Sequence, residues 1–355
     1  NMAIIKYDNI GITAIAACVP PKVFSNYDLG YMVPDDAIEK LIKSIGIKER
    51  RIAEPEVCSS DLCYEAAAKL LSDNNIDRSS IDMLIFLTMT PDYITPPTSS
   101  ILQSRLGLST STACFDMSLA CSGFVYALAT GFAFASSNGV ERVLVLVGET
   151  MSKLANPKDR VNFPLYGDAG TACLIEKGDY GEYFFLLSGD GGGENTVKVP
   201  HGGFRHPFSA DSFLEKEREE GNYRREVDIT MDGIGTFNHA VSAIPKQVKK
   251  LMQEASITAE DVDYLVSHQA NKFMIDFIVK RLKFDPNKVP FCLEKYGNTS
   301  AASIPLTIVS ELEHKLEGKK RLLLSAIGAG WSLGTAFMQT ENISISGIAE
   351  YGGIE

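Results

Sequence analysis

Apolar residues in this chain come in short bursts separated by polar turns, and the bursts have two characters. Ile10 to Cys18 is almost continuous Ile, Ala and Thr and reads as a first β-strand. Glu141-Arg142-Val143-Leu144-Val145-Leu146-Val147, Val262-Asp263-Tyr264-Leu265-Val266 and Lys320-Arg321-Leu322-Leu323-Leu324-Ser325-Ala326 are further runs of strand length. Val125 to Ala135 is small and apolar throughout, the pattern of a buried helix. Apolar strands alternating with helical segments predict α/β layers, with helices covering a sheet that is at least partly parallel.

The pattern also repeats. Lys69 to Phe86 aligns without a gap on Lys250 to Ser267, an offset of 181 residues, and both read as the end of an amphipathic helix, a polar turn and a strand. Glu141 to Val147 and Lys320 to Ala326 form a looser second pair at nearly the same spacing. Two similar halves are therefore expected, and 355 residues suffice for two cores. Between them, Gly189 to Asn195 is glycine-rich but opens no helix pattern, so it reads as a tight turn and not a phosphate cradle. Glu215 to Glu226 is a charge run without an apolar face, expected as a solvated insertion.

Composition narrows the classes. With 45% hydrophobic and 22% charged residues the chain is of ordinary globular type. A net charge of −11 argues against nucleic acid, which demands clustered cations in excess. Seven cysteines without a CxxC pair point to a reducing compartment, hence a cytoplasmic location, and to no structural zinc. Ile15-Ala16-Ala17-Cys18 resembles a lipoprotein cleavage box, but the apolar stretch before it is too short for a signal core. No run approaches a membrane span, and Asn1 ahead of Met2 reads as an expression remnant.

Candidate chemistry begins at Asp116-Met117-Ser118-Leu119-Ala120-Cys121-Ser122-Gly123-Phe124, where a cysteine precedes the buried helix. A helix N-terminus favours thiolate, so Cys121 is a candidate nucleophile of lowered pKa; the competing reading is a small core residue. Two further islands set a polar group among small residues at the end of an element. These are Ser267-His268-Gln269-Ala270-Asn271 and Tyr296-Gly297-Asn298-Thr299-Ser300-Ala301-Ala302-Ser303-Ile304-Pro305. A glycine turn follows at Ile327-Gly328-Ala329-Gly330-Trp331-Ser332-Leu333-Gly334. A thiolate can hold an acyl group, and a neutral imidazole and a carboxamide can donate hydrogen bonds to an enolate oxygen. His201, His206, His239 and His314 read as structural or surface groups.

In this order the four motifs resemble the β-ketoacyl-[acyl-carrier-protein] synthase III family of thiolase-fold condensing enzymes. The resemblance implies two similar α/β halves in a five-layer αβαβα arrangement, with the site where they meet. Residues 1–180 would be the half carrying the nucleophilic Cys, and 181–355 the half carrying His and Asn, with a charged insertion near 205–227. It implies a decarboxylating condensation of a Cys121-bound acyl primer with malonyl-acyl carrier protein, without a metal or other cofactor. Cys121, His268 and Asn298 would be catalytic, and the backbone N–H groups of Cys121 and Ala329 an oxyanion hole. Arg160, Thr95 and Ile327 would bind substrate, and Lys272, Lys280 and Arg281 would dock the acidic carrier protein. Acyl-CoA or an acyl-carrier thioester would be the donor. A homodimer is implied too, each acyl pocket capped by the partner's loop around Asp92 to Thr98.

Departures refine this. Gly328 to Gly334 holds no second cysteine, unlike a thiolase, and Asn298 stands where elongating synthases use a second histidine. The tryptophan that stacks on CoA adenine in bacterial initiating enzymes is replaced, at its apparent position, by Lys40, and Thr95 stands where a bulky aromatic is usual. Two other readings keep parts of the motif set: an acyltransferase to another acceptor without decarboxylation, and a non-catalytic partner subunit.

Overall fold

The structure, a computed structural model, describes residues 3–353, the Glu220 side chain excepted, so Asn1 and Met2 lie outside it. The strands of its main sheet are β1 (Ile4–Val19), β2 (Met83–Leu87), β3 (Ala113–Met117), β4 (Arg142–Thr150), β5 (Asp168–Gly189), β6 (Tyr264–Ser267), β7 (Lys319–Gly328), β8 (Ser332–Glu341) and β9 (Ser344–Glu350). The helices are α1 (Asp35–Ile45), α2 (Ser59–Asp73), α3 (Thr98–Arg105), α4 (Gly123–Ala135), α5 (Gly233–Glu254), α6 (Lys272–Leu282), α7 (Leu293–Tyr296) and α8 (Ser303–Leu312).

Strand order is β6-β7-β8-β5-β4-β2-β3, with β1 paired to both β5 and β9. β5 is the link. Its residues 168–176 pair with β4, and its residues 183–189 pair with β8, so one strand serves two sheet halves. β1 follows it across: Ile10 to Cys18 lie beside the first part of β5 and Ile4 to Asp8 beside the second, with a register shift at Asn9. The strand thus starts earlier than the apolar run that announced it. β5 also spans residue 180, where the two halves were expected to divide, although its residues 178–181 form a bulge that pairs with none of its neighbours.

Burial alternates with a period of two. On β4, Val143, Val145 and Val147 face one cluster and Leu144 and Leu146 another; on β7, Leu322 and Leu324 oppose Leu323. The clusters resolve five layers. α2 and α3 cover the outer face of the first sheet half, α5 and α6 that of the second, and α4 and α8 fill the space between. α4 is apolar around its whole circumference because both of its sides face a sheet.

The repeat holds in detail. Ile76 N–H donates to Leu71 O and Ile257 N–H to Met252 O, each at 2.9 Å, and the residues just before, Asn75 and Ser256, both adopt left-handed φ, 51° and 53°. The sheet is more mixed than expected. β2–β3, β2–β4, β6–β7 and β1–β9 are parallel, but β4–β5, β5–β8, β7–β8 and β1–β5 are antiparallel. Between β7 and β8 the reason is plain, since a three-residue turn permits only an antiparallel return.

The charge run at Glu215 to Glu226 is not simply solvated. It folds as a short ladder, Lys216–Glu217 against Tyr223–Arg224, and Arg224 is buried against Asp159 and Glu219. Lys158 and Glu215 pair at 2.5 Å, which ties the insertion to the 156–159 loop. His314 lies past the end of α8 on a turn with φ 63°, not in a helix. Among the described residues no helix is long and apolar enough to cross a membrane.

The fit of α2 on β5 gives a stability test. A Cβ at Gly170 would stand 2.4 Å from the Cys63 amide nitrogen and the Leu62 carbonyl carbon, backbone that cannot give way. Gly170→Ala is expected to cost about 3 kcal/mol in urea unfolding, whereas Gly203→Ala, with nothing within 4 Å, stays close to the parent.

Candidate active site

The chain leaves β3, turns at Ser118–Ser122 and enters α4, so Cys121 stands two residues before the first helical residue. The turn is closed by Gly123 N–H to Ala120 O at 2.7 Å, and the Ser122 and Ser332 hydroxyls meet at 2.6 Å. The Cys121 thiol lies 3.6 Å from Ser300 Oγ and opens onto a cavity of about 330 Å³. Burial pushes it up to about 11, against the smaller downward pull of the Ser300 hydrogen bond. The expected lowering is therefore not found: enclosure in low dielectric outweighs the helix N-terminus, and the resting group is a thiol.

His268 follows β6 directly. Its backbone N–H donates to Ser325 O at 2.9 Å, and its Nδ1 meets Ser303 Oγ at 2.7 Å. Burial brings the imidazole down to about 4, partly offset by a hydrogen bond with the Ser300 backbone, so it is neutral at ordinary pH.

Asn298 is fixed by a two-bond bridge between the halves. Its N–H donates to Leu165 O at 2.8 Å, and its C=O accepts from Gly167 N–H at 3.2 Å. Gly167 permits this approach, because a Cβ there would overlap Tyr296 O. The Asn298 Oδ1 accepts from Ser300 N–H at 2.9 Å, which turns the amide NH2 into the available donor. Behind the bridge lies Arg50, fully buried, whose guanidinium donates to the carbonyls of Phe163 at 2.7 Å and Tyr166 at 3.0 Å and to Asn26 Oδ1 at 3.0 Å. The rings of Phe24 and Phe163 lie 4.8 and 4.7 Å from its central carbon.

The last wall is the β7–β8 turn. Ile327, Gly328, Ala329 and Trp331 line the cavity. A Cβ on Gly328 would stand 3.0 Å from the Cys121 amide nitrogen, so the close approach of this turn to Cys121 depends on glycine. Trp331 is held by reciprocal backbone bonds with Asp190, 2.7 and 2.9 Å, and its ring stacks on His239 at 4.8 Å. The tight turn read at Gly189 to Asn195 thus braces the cavity wall.

Cys121, His268, Asn298, Ala329 and Ile327 are gathered around one cavity; Thr95 and Arg160 do not line it. Thr95 is on an exposed loop beside Tyr93 and Ile94, and half-buried Arg160 follows Asp159 on the loop tied to the charged insertion. Lys272 and Lys280 line a separate groove along α6, while Arg281 lies outside its lining. Lys272 pairs with Asp276 at 2.6 Å.

Sequence reading gave no role to Ser300 and Ser303, although both stood inside a quoted motif. Glu149 was missed too; its one signal was an acid at the end of an apolar strand. It is fully buried and accepts from Met89 N–H at 3.1 Å and from the hydroxyls of Thr88 and Thr90 at 3.3 and 3.2 Å. That places Met89 in the cavity wall. Burial pushes the Glu149 carboxyl up to about 8, with these hydrogen bonds pulling down.

Comparison with known proteins agrees with this geometry. The family model described as 3-oxoacyl-[acyl-carrier-protein (ACP)] synthase III matches residues 115–193, and its C-terminal counterpart matches residues 252–340. A putative 3-oxoacyl-[acyl-carrier-protein] synthase 3 of Campylobacter jejuni is 35% identical over 354 residues, covering 98% of each chain. The chain belongs to the 3-oxoacyl-[acyl-carrier-protein] synthase III family. A β-ketoacyl-[acyl-carrier-protein] synthase III of Caldanaerobacter subterraneus is 38% identical, across 90% of this chain and 94% of the relative. Among solved structures, a 3-oxoacyl-(acyl-carrier protein) synthase from Burkholderia xenovorans superposes with TM-score 0.92 at 34% identity, over 98% of this chain and 99% of the other. The priming β-ketosynthase of the R1128 polyketide pathway superposes with TM-score 0.80 at 27% identity, over 95% and 97%. The thiolase fold expected from the motifs is the fold of these neighbours.

Glu149 yields a pH prediction. Its folded pKa lies above the unfolded value, so the stability it contributes is full below about 4.5 and is lost as pH rises through about 8. Glu149→Gln removes that titration. Between pH 5 and 8 the parent is expected to lose stability relative to the variant, by up to about 1.4 kcal/mol per pH unit, in paired urea-unfolding curves.

Proposed function

We propose that this protein is a decarboxylating condensing enzyme that joins an acyl primer to malonyl-acyl carrier protein. The observation that carries the reading is one enclosed cavity bringing a cysteine thiol, a neutral histidine and a carboxamide donor together. In the first step the Cys121 sulfur attacks the primer thioester. A new C–S bond forms, the old one breaks, and the thiol proton leaves with the departing carrier thiol. The backbone N–H groups of Cys121 and Ala329 would hold the oxyanion.

The second step starts with malonyl thioester in the same cavity. Its C–CO2 bond breaks, and the electron pair moves into the thioester carbonyl as an enolate. His268 and Asn298 would donate hydrogen bonds to that oxygen, a role that suits an imidazole kept neutral down to about pH 4. The enolate carbon attacks the acyl-Cys carbonyl, the C–S bond breaks with its electron pair returning to the Cys121 sulfur, which takes up one proton from solvent to restore the thiol, and a 3-oxoacyl thioester and CO2 leave. None of these steps calls on a metal or other cofactor.

Relatives named synthase III and the priming β-ketosynthase support initiation of a fatty-acid or polyketide chain. CoA and an acyl carrier protein are the expected thioester carriers. Arg160 would meet the CoA adenine, with Ile327 against the primer. Lys272, Lys280 and Arg281 would receive the acidic carrier protein, and Thr95, exposed in its own subunit, would face a partner's acyl pocket in a homodimer. The division of labour runs along the chain, residues 1–180 supplying the nucleophile and 181–355 the enolate donors.

The test is the intact mass after incubation with a panel of acyl-CoA and acyl-carrier thioesters. One acyl adduct in the parent and none in Cys121→Ser is expected. His268→Ala and Asn298→Ala should keep the adduct yet lose malonyl-dependent CO2 release by about 100-fold or more. The absence of an adduct with every donor would overturn the reading.

A further inference from the structure

Tyr166 is the one phenol in the cavity wall, and the chemistry just proposed leaves it unused. It is 4% exposed, its backbone is bridged to Asn298 and its carbonyl is held by Arg50, so the ring has no freedom to swing away. It lies close enough to Cys121 for the two groups to influence each other electrostatically. Its hydroxyl hydrogen-bonds to no described residue. Nor is it sealed in the interior without a partner, as Thr236 Oγ1 and Thr299 Oγ1 are; what remains open to it is the cavity.

A phenol oxygen set in an apolar wall without a partner is unfavourable unless something in the cavity completes its hydrogen bonds. Its neighbours on that wall, Met89, Leu165, Ile229 and Met231, offer only hydrocarbon and thioether surface. Burial raises the phenol far above the working range, so it is an O–H donor at any ordinary pH. The complement of this wall is an aliphatic chain carrying one oxygen.

Building on the condensing-enzyme reading, we propose that Tyr166 is a specificity-determining residue, selecting an acyl primer whose chain bears a hydroxyl or keto oxygen over the plain alkanoyl group of the same length. A site built to hydrogen-bond an oxygen rejects the analogue lacking it far more strongly than an apolar pocket distinguishes one methylene.

The experiment measures kcat/KM for acylation of Cys121, by intact mass, with butanoyl-CoA and its 2-, 3- and 4-hydroxy and 3-oxo derivatives, and with the octanoyl series. The parent is expected to load at least one oxygenated primer about 10-fold or more faster than its plain counterpart. In Tyr166→Phe, which keeps the ring and loses only the oxygen, that ratio should fall to near one. A parent that prefers the plain primer in both series, or a preference that survives in Tyr166→Phe, overturns the role of Tyr166 while leaving the condensing-enzyme reading intact. Failure to load any primer overturns both, and is told apart by the absence of every adduct.

Discussion

The rest of this molecule is arranged around two helices packed between two sheet halves. α4 and α8 form the middle layer, buried along most of their length, and that layer is what makes the fold a five-layer stack. Phe124, Leu128 and Phe132 of α4 are fully enclosed, and close packing around them fixes the helix in place. Cys121 is the residue at which the chain enters that layer, and Ser303, which holds His268, is the residue at which it enters α8. The catalytic candidates inherit their precision from helices whose position is over-determined by packing.

Electrostatics follow from the same enclosure. The cysteine is a thiol, the histidine is neutral, and Glu149 holds its proton through neutral pH, so the site carries little charge of its own. Arg50 is the exception, and its charge is spread over carbonyls, an amide and two aromatic faces, not paired with a carboxylate. A partly buried cavity whose central groups are uncharged is a setting in which fixed N–H donors act strongly on a developing oxyanion.

Much of this was readable in the residues. The order Cys121, His268, Asn298, glycine turn named residues that line one cavity, and the 181-residue repeat recurs in the structure down to the turn shared by Asn75 and Ser256. What escaped reading is physical in kind. A helix-capping position argued for a low thiol pKa, but local sequence says nothing of how deeply that cap is enclosed. Arg224 sat in a run of charges, and only tertiary contact with Asp159 made it a buried one. Strand direction escaped as well, because an apolar strand buried on both faces looks the same whether its neighbour runs with it or against it. Ser300 and Ser303 passed for small spacers because a hydroxyl's partner lies across the fold, not along the chain.

The shared strand β5 carries a mechanical consequence. Enzymes that close by swinging two lobes need a hinge between them, a few residues whose backbone can rotate without breaking a ladder. Here the crossing is a bulge: residues 178–181 of β5 pair with no strand, between the β4 ladder that ends at Glu176 and the β8 ladder that starts at Tyr183, and the β1 register shifts at the same place. That bulge, with Gly181 at φ 93°, is a stretch whose backbone can turn without breaking a ladder, while each half keeps its own strand pairing intact on either side of it.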